Sequence, residues 1–188
     1  IGDWVLRRAC ADAAAWPRRI RVAVNFSAKQ FMLRPNISGH IAEALSASGL
    51  EPDRLEVEIT ESTLMEAKDA VRELERISAM GVKVALDDFG TGYSSLSYLR
   101  QFPVDKIKID RSFAQDVLSR ASKAVIGSVS VLAQMLDVDL VVEGVETADQ
   151  LNALRHWDVR LVQGYIFSRP VPADQLTLQL QAATPFRK

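Results

Sequence analysis

Polar side chains that could do chemistry follow six short apolar segments of this 188-residue sequence. They are Asn25, Glu58, Asp87 with Asp88, Lys108 with Asp110, Glu143 and Gln163. Carboxylates that converge in a closed space repel one another, and they stay ionised only where cations neutralise them. Oxygen ligands without Cys or His favour hard ions such as Mg²⁺ or Mn²⁺ over Zn²⁺. There are more carboxylates than one octahedral ion needs, which favours two ions, an arrangement suited to displacement at phosphorus.

The elements that must position these side chains alternate between strands and helices. Short apolar segments predict strands at residues 20–24, 55–59, 82–86, 106–109, 139–142 and 160–162. Apolar residues at helical spacing predict helices within residues 37–45, 71–80, 125–136 and 151–157. A strand followed by a helix, repeated along the chain, is typical of parallel βα units.

A barrel explains the placement of the polar residues better than an open sheet does. An open doubly wound sheet usually carries a glycine-rich phosphate turn after an early strand, and none follows residues 20–24. Each polar residue alone could cap a turn or lie exposed, but their repetition at six strand ends favours a barrel site. We therefore predict an α/β fold, an incomplete TIM-like (βα) barrel with about six of its eight strands. Ile1 reads as a mid-helix residue, so we expect residues 1–188 to be one domain that lacks its N-terminal strands.

The composition excludes several classes of protein. Lys plus Arg is 23 and Asp plus Glu is 24, and the net charge of −1 argues against a DNA or RNA polymer as partner. No apolar run approaches the roughly 18 residues of a membrane span. The single cysteine, Cys10, cannot form an internal disulfide, which indicates a reducing compartment. We expect a cytoplasmic domain, and a membrane anchor elsewhere in a parent protein is compatible with this.

Six sequence motifs occur in order across nearly the whole chain. They are VNFS at 24–27, EITES at 58–62, DDFGTGYSS at 87–95, KID at 108–110, EGVE at 143–146, and QGY at 163–165 followed by SRP at 168–170. Together they resemble the EAL-domain family, bacterial phosphodiesterases that hydrolyse cyclic di-GMP to linear pGpG with Mg²⁺ or Mn²⁺. The resemblance implies a barrel, cyclic di-GMP as the substrate and two divalent ions as cofactors.

The resemblance also implies roles for the matching residues. The implied metal ligands are Asn25, Glu58, Asp87, Asp88 and Glu143. The implied catalytic residues are Lys108, Glu143 and Asp88. The implied substrate-binding or loop-supporting residues are Gln30, Glu61, Asp110, Glu146 and Gln163. Asp87 would bridge the two ions, Lys108 would hold and polarise the attacking water, and Glu61 would hold the loop at 88–95.

The motif after which the family is named is absent from its expected place. In the family, Glu-Ala-Leu and a following arginine lie on an early strand, where the glutamate is a metal ligand and the arginine helps to bind substrate. Glu43-Ala44-Leu45 has the same three residues, but it lies in a helical segment after the Asn25 strand, so we interpret it as a coincidence. We expect the true segment upstream of Ile1, and we predict that these 188 residues alone are poorly active.

The resemblance implies partners besides the dinucleotide. Relatives often dimerise near residues 88–100, so we expect a homodimer, and an upstream sensory or GGDEF domain in the parent chain fits the family. Two other functions stay open: an inactive EAL module that binds cyclic di-GMP or a protein, and an unrelated metal-dependent barrel hydrolase of another phosphate ester. The metal-binding positions that this sequence contains favour the active enzyme.

Overall fold

Six parallel strands form one sheet whose order in space follows their order in the sequence. The computed structural model describes residues 1–17, 19–33, 36–66, 70–91 and 102–182. The strands are β1 (Val22–Phe26), β2 (Leu55–Thr60), β3 (Lys83–Phe89), β4 (Lys106–Ile109), β5 (Asp139–Val142) and β6 (Leu161–Val162). All six predicted strands are confirmed, and their parallel pairing confirms the α/β class.

Six of the twelve strand boundaries differ from the sequence prediction by one to three residues, and two of these differences have a visible structural cause. The prediction begins the first strand at Ile20, but the Ile20 carbonyl accepts a hydrogen bond from Nε of Arg54 at 3.1 Å, and β1 begins two residues later. The prediction ends the third strand at Leu86, whereas β3 continues to Phe89, which still pairs with β4 after a shift in register. The first difference arises from a side-chain contact and the second from an irregular ladder, and neither changes the order of the strands.

Helices precede, connect and follow the strands in the described ranges. They are α1 (Gly2–Ala14), α2 (Ala28–Leu33), α3 (Ile37–Ser48), α4 (Glu61–Glu66), α5 (Ala70–Ala79), α6 (Arg111–Gln115), α7 (Arg120–Leu136), α8 (Ala148–Arg155) and α9 (Ala173–Ala182). The four predicted helices are confirmed as α3, α5, α7 and α8. At the start of α3 the Asn36 side chain accepts a hydrogen bond from the Gly39 amide, and Gly49 ends the helix at a φ of 70°. Within the described ranges, every helix is too short or too polar to span a bilayer.

The sheet has one apolar face and one face rich in charge. The apolar face is buried against the helices and includes Val57, Ile59, Val84, Leu86, Ile107 and Ile109. Because side chains alternate along a strand, the opposite, inner face carries Glu56 and Glu58 on β2 and Lys106 and Lys108 on β4. Each aliphatic side chain buried on the apolar face contributes about 1.5–3 kcal/mol. The apolar face therefore stabilises the sheet whose inner face gathers the charges.

The sheet is open at both edges. In the part of the chain that the structure describes, β1 pairs with β2 alone and β6 pairs with β5 alone. A closed barrel pairs every strand on both sides. Ala23 and Asn25, which lie on the inner face of β1, are accordingly exposed. The expectation of an incomplete barrel with six strands is confirmed.

The reactivity of the Cys10 thiol provides a test of the packing of α1 against α3 and β1. The Cys10 side chain is fully buried, and burial raises the pKa of its thiol to about 11. Because the thiolate is the reactive form, we expect the native protein to resist an aromatic disulfide reagent near neutral pH. After unfolding in guanidinium chloride, one equivalent of thiol should react, as measured by the absorbance of the released chromophore. Prompt reaction of the native protein would contradict the described packing of α1.

Candidate metal centre

Three carboxylates from the ends of three different strands meet at the ammonium group of Lys108. Nζ of Lys108 lies 2.7 Å from Oε1 of Glu58, 3.0 Å from Oδ1 of Asp87 and 2.7 Å from Oε1 of Glu143. The side chains are 4% exposed for Lys108, 8% for Glu58, 11% for Asp87 and 17% for Glu143. This cluster is therefore a nearly buried group of charges at one mouth of the sheet.

The carboxyl ends of neighbouring parallel strands bring the four residues together. Glu58, Asp87 and Lys108 lie near the ends of β2, β3 and β4, and Glu143 immediately follows β5. Parallel strands end at the same edge of the sheet, so these residues share one mouth. After Glu143 the chain turns at Gly144, where φ is 70° and an added Cβ would lie 2.4 Å from the Cβ of Arg111. The absence of a side chain at this position permits the close approach to α6.

A register shift in β3 brings two consecutive aspartates to the same site. Side chains normally alternate between the faces of a strand, so Asp87 and Asp88 would point in opposite directions. The pairing of β3 with β4 is irregular between Leu86 and Phe89, and Asp88 has a φ of 54°. Irregularities of this kind redirect side chains beside active sites. Here they bring carboxylate oxygens of Asp87, Asp88 and Glu143 within 4.8 Å of one another.

Burial and mutual repulsion disfavour the ionised form of the carboxylates in the cluster, and the positive charge of Lys108 favours it. Burial raises the pKa of Glu58 and of Glu143, Lys108 counteracts this rise, and the charge of Asp87 adds to it. Burial alone would lower the pKa of Lys108, but its hydrogen bonds to Glu143 and Glu58 outweigh burial and raise this pKa. Lys108 is therefore protonated at neutral pH.

The donor set fits a hard divalent cation. The cluster with Asp88 offers four carboxylates, and the single ammonium of Lys108 leaves an excess of negative charge among them. The donors are oxygen atoms, and neither His nor Cys belongs to this group, a chemistry that suits Mg²⁺ or Mn²⁺. Burial raises the pKa of Asp88, and the neighbouring charges of Asp87 and Asp110 raise it further. A divalent cation would relieve the repulsion that these shifts report.

Asn25 and Asp110 lie beside the cluster. Asn25 pairs in register with Glu58, so its side chain lies on the same face, at the exposed edge of the sheet. Asp110 follows β4, and its carboxylate accepts a hydrogen bond from the Ser112 amide at 3.0 Å, which caps α6. The structure thus places both residues at the predicted mouth, with Asn25 much more open to solvent than Glu58.

Glu61 contacts the turn that follows β3. Its Oε1 accepts a hydrogen bond from the Gly90 amide at 3.3 Å, so the start of α4 is linked to the chain just after Asp88. The predicted contact partner of Glu61 is the loop at 88–95, and residues 92–95 lie outside the described residues. Support of the whole loop by Glu61 stays a prediction.

The contacts of the three remaining predicted residues, Gln30, Glu146 and Gln163, are with the start of a helix or with the neighbouring strand. Oε1 of Gln30 accepts a hydrogen bond from the Ser27 amide at 3.1 Å, at the start of α2. Glu146 is exposed, and its amide donates to Oε1 of Gln150 at 2.7 Å, at the start of α8. Gln163 is exposed at the end of β6, where its amide continues the pairing with β5. The structure does not bring these three side chains into the cluster, and their contact with a substrate stays a prediction.

Comparison with known families identifies the domain. The family model of the EAL domain matches residues 1–170. The chain belongs to the EAL domain family. The resemblance drawn from the six motifs is therefore confirmed.

Relatives of known name cover almost all of this EAL domain. The cyclic di-GMP phosphodiesterase NbdA of Pseudomonas aeruginosa is 43% identical over 198 residues, which are 100% of this chain and 25% of NbdA. The solved c-di-GMP complex of the PaMucR phosphodiesterase is 40% identical, with a TM-score of 0.88 over 93% of this chain and 73% of its own. A manganese and cy-diGMP complex of Klebsiella pneumoniae BlrP1 is 35% identical, with a TM-score of 0.83 over 90% of this chain and 44% of its own. The structural matches confirm the predicted TIM-like fold of the EAL type, and the chain spans about a quarter of the length of the curated relatives that it matches.

A second ion pair lies inside the sheet of the EAL domain, and its role does not follow from the motifs. Nζ of Lys106 donates a hydrogen bond to Oε1 of Glu56 at 2.7 Å. The sequence indicates this pair only through spacing. Glu56 precedes Glu58 by two positions and Lys106 precedes Lys108 by two positions, so all four side chains share the inner face. Alternation alone does not show that they meet, because the contact depends on the relative heights of β2 and β4.

Replacing Lys108 with Met tests the charge balance of the cluster. The substitution leaves buried carboxylates without their counter-charge, and removal of one partner of a buried ion pair costs about 3–5 kcal/mol. We expect the free energy of unfolding, measured by urea denaturation in a chelating buffer, to fall by about this amount. Lys29→Met removes an exposed lysine and serves as the matched control, with an expected change below about 0.5 kcal/mol. Equal effects of the two substitutions would contradict the described cluster.

Proposed function

We propose that this EAL domain hydrolyses cyclic di-GMP to linear pGpG with divalent ions held at the carboxyl ends of its strands. The observation that carries the proposal is the convergence of Glu58, Asp87 and Glu143 on Lys108. The names of NbdA and MucR include cyclic di-GMP phosphodiesterase, and the matched PaMucR and BlrP1 structures are complexes with the dinucleotide. These relatives support the choice of substrate.

The proposed cofactors are two Mg²⁺ or Mn²⁺ ions. The residues that would hold them are Asn25, Glu58, Asp87, Asp88 and Glu143. Matched BlrP1 structures with manganese and with calcium support a site for divalent ions. When bound, such ions stabilise negative charge on the attacking and leaving oxygens of a phosphodiester.

Lys108 would act as an electrostatic group that orients the attacking water. Its ammonium has three N–H donors, and its raised pKa keeps all of them protonated. A protonated amine cannot remove a proton from water, so we assign Lys108 an electrostatic role rather than that of a general base. It contributes a hydrogen-bond donor and a positive charge beside the reacting phosphate, and both favour the build-up of negative charge in the transition state.

The remaining predicted residues would surround the substrate. We assign Glu61 to the turn after β3, because its carboxylate already contacts the Gly90 amide. Asp110 would support the mouth from the start of α6. We assign Gln30, Glu146 and Gln163 to the substrate pocket on the family motif.

Asp87→Asn tests this function in the protein expressed from its complete coding sequence. Formation of pGpG, followed by chromatography, should require Mg²⁺ or Mn²⁺ and should stop when a chelator is added. The substitution removes a charged oxygen ligand, and we expect the rate to fall by more than about 100-fold, since even residues that only orient ligands contribute about 10- to 100-fold. Asp53→Asn changes an aspartate at the opposite end of β2 and should leave the rate unchanged. A wild-type protein that makes no pGpG with Mn²⁺ would contradict the proposal.

Calorimetry separates hydrolysis from simple binding. An inactive module would bind cyclic di-GMP in chelating buffer without forming pGpG. An enzyme for another phosphate ester would hydrolyse that ester, and adding cyclic di-GMP would not inhibit the hydrolysis. The proposed enzyme should give divalent-dependent turnover of cyclic di-GMP itself.

We further propose that strands outside these 188 residues complete the barrel. Among the described residues, β1 and β6 each have one unpaired edge, and unpaired edges favour pairing with further strands. The Glu-Ala-Leu segment of the family would lie on such a strand. Residues 1–188 would then be one EAL domain without its N-terminal strands, joined to an upstream sensory or GGDEF domain. The name of MucR, a bifunctional diguanylate cyclase and cyclic di-GMP phosphodiesterase, supports a longer chain of this kind.

A homodimer is the proposed assembly, with the exposed surface of α7 in the contact. A groove of about 580 Å³ beside the turn after β3 is lined by residues that include Phe89, Val125, Leu132 and Met135. Met135 is 80% exposed and Val131 is 56% exposed. Exposed apolar surface of this kind is typical of protein interfaces. Residues 92–100 of the predicted dimer region lie outside the described ranges.

The double variant Val131→Glu with Met135→Glu tests the dimer. Light scattering after gel filtration should give the mass of two chains for the wild type and of one chain for the variant, because two buried charges oppose association. Leu178→Glu, at another exposed apolar position, is the matched control and should stay dimeric. A wild-type protein with the mass of one chain at all concentrations would show that the dimer is wrong.

A further inference from the structure

A largely buried ion pair between Glu56 and Lys106 lies beneath the candidate metal centre, further from the mouth of the sheet. Nζ of Lys106 donates to Oε1 of Glu56 at 2.7 Å. The Glu56 side chain is 4% exposed and the Lys106 side chain is 15% exposed. Nη1 of Arg21 also approaches Oε2 of Glu56, at 3.5 Å, from the open edge of the sheet. The charges of this pair are thus largely withdrawn from water and satisfied by each other.

The two ion pairs repeat one geometry at two heights. Glu56 and Glu58 lie on β2, Lys106 and Lys108 lie on β4, and alternation puts all four on the inner face. In a barrel of tilted strands, inward side chains from alternate strands share a layer. Glu58 therefore meets Lys108 at 2.7 Å in the upper layer, and Glu56 meets Lys106 in the layer below.

Ala85 on β3 provides the space for both pairs. It pairs in register with Glu58 on one side and with Lys106 on the other, so it lies between β2 and β4 on the inner face. It is fully buried. Its methyl group is short enough for the longer side chains of β2 and β4 to reach each other past it, whereas a larger side chain here would stand between them.

Backbone hydrogen bonds do not link β2 directly to β4, because β3 lies between them. Their relative position is transmitted through two separate ladders, and the ladder of β3 with β4 contains the register shift after Leu86. The Glu56–Lys106 contact is a direct link between the same two strands, two residues below Glu58 and Lys108. It constrains the two strands where the backbone pairing is regular, just before the irregular segment.

We propose that Glu56 and Lys106 are positioning residues that link β2 to β4 and hold Glu58 and Lys108 at the separation that the metal centre requires. This inference rests on the proposed function, because it takes the cluster around Lys108 to be a metal site. Neither residue belongs to the group of side chains that would hold the ions. Without the link, β2 and β4 can separate at the mouth, and the carboxylate of Glu58 moves away from those of Asp87 and Glu143.

Mn²⁺ affinity of variants at the lower pair tests the proposal. The measurement is electron paramagnetic resonance of free Mn²⁺ in a titration of the protein expressed from its complete coding sequence, at a temperature where circular dichroism shows every variant folded. Lys106→Met should weaken Mn²⁺ binding by about tenfold, the effect typical of partners that orient metal ligands. Lys106→Arg keeps the charge and the contact, so it should recover most of the affinity.

The double variant Glu56→Gln with Lys106→Met distinguishes positioning from charge balance. It removes the ion pair and leaves no buried charge uncompensated, because Arg21, which also approaches Glu56, is 44% exposed. The double variant should therefore fold and still bind Mn²⁺ about tenfold more weakly than the wild type. Lys83→Met breaks the partly exposed ion pair with Asp105, which does not link β2 to β4, and should keep the wild-type affinity.

The outcomes separate this inference from the proposed function. A wild-type protein that does not bind Mn²⁺ would overturn the metal site and the positioning role together. A wild-type protein that binds Mn²⁺, with a double variant of equal affinity, would leave the metal site intact and overturn the positioning role. Equal weakening by Lys83→Met would also overturn it, because the effect would then not depend on the link between β2 and β4.

Discussion

The ammonium group of Lys108 allows three carboxylates to share one nearly buried space. Without a cation, Glu58, Asp87 and Glu143 would repel one another and lose their hydration at the same time. Lys108 lies within 3.0 Å of all three, so one residue of β4 satisfies charges from β2, β3 and the end of β5. The site is therefore assembled by the chain itself, and a divalent cation would enter a group of ligands that already lie together.

The requirement for oriented charge explains the contrast between the two faces of the sheet. Burial of a charge is costly, so a charged inner face can exist only if another part of the structure supplies the stability. The face toward the helices does so with side chains such as Val57, Val84 and Ile107, which are fully buried. The open edges of the sheet affect the same inner face, because they leave Asn25 exposed while Glu58 is covered.

Local patterns predict most of the fold, and strand ends predict the centre of the site. Apolar segments and helical spacing depend on neighbours in the sequence, so all six strands and four of the helices follow from them. The convergence on Lys108 also follows, because parallel strands end at one edge. The place of Asp88 in the site follows from the family motif and not from strand geometry, since strict alternation would turn its side chain away and the register shift in β3 is not visible in the local pattern. The capping role of Gln30 is likewise hidden, because the family motif implies contact with substrate and the structure shows the amide oxygen at the start of α2.

The contribution of the Glu56–Lys106 ion pair is the positioning of two strands, and a gain in stability does not explain it. Well-packed apolar residues of similar size usually stabilise a protein as much as a buried ion pair does, or more. What an ion pair adds is a preferred geometry. Lys106 pairs best with Glu56 at one relative height of β2 and β4. An apolar contact at the same place would tolerate sliding, and a shift along the strands would separate Glu58 from Lys108. The inner face therefore uses charges where placement matters, and the small side chain of Ala85 between them is part of the same arrangement.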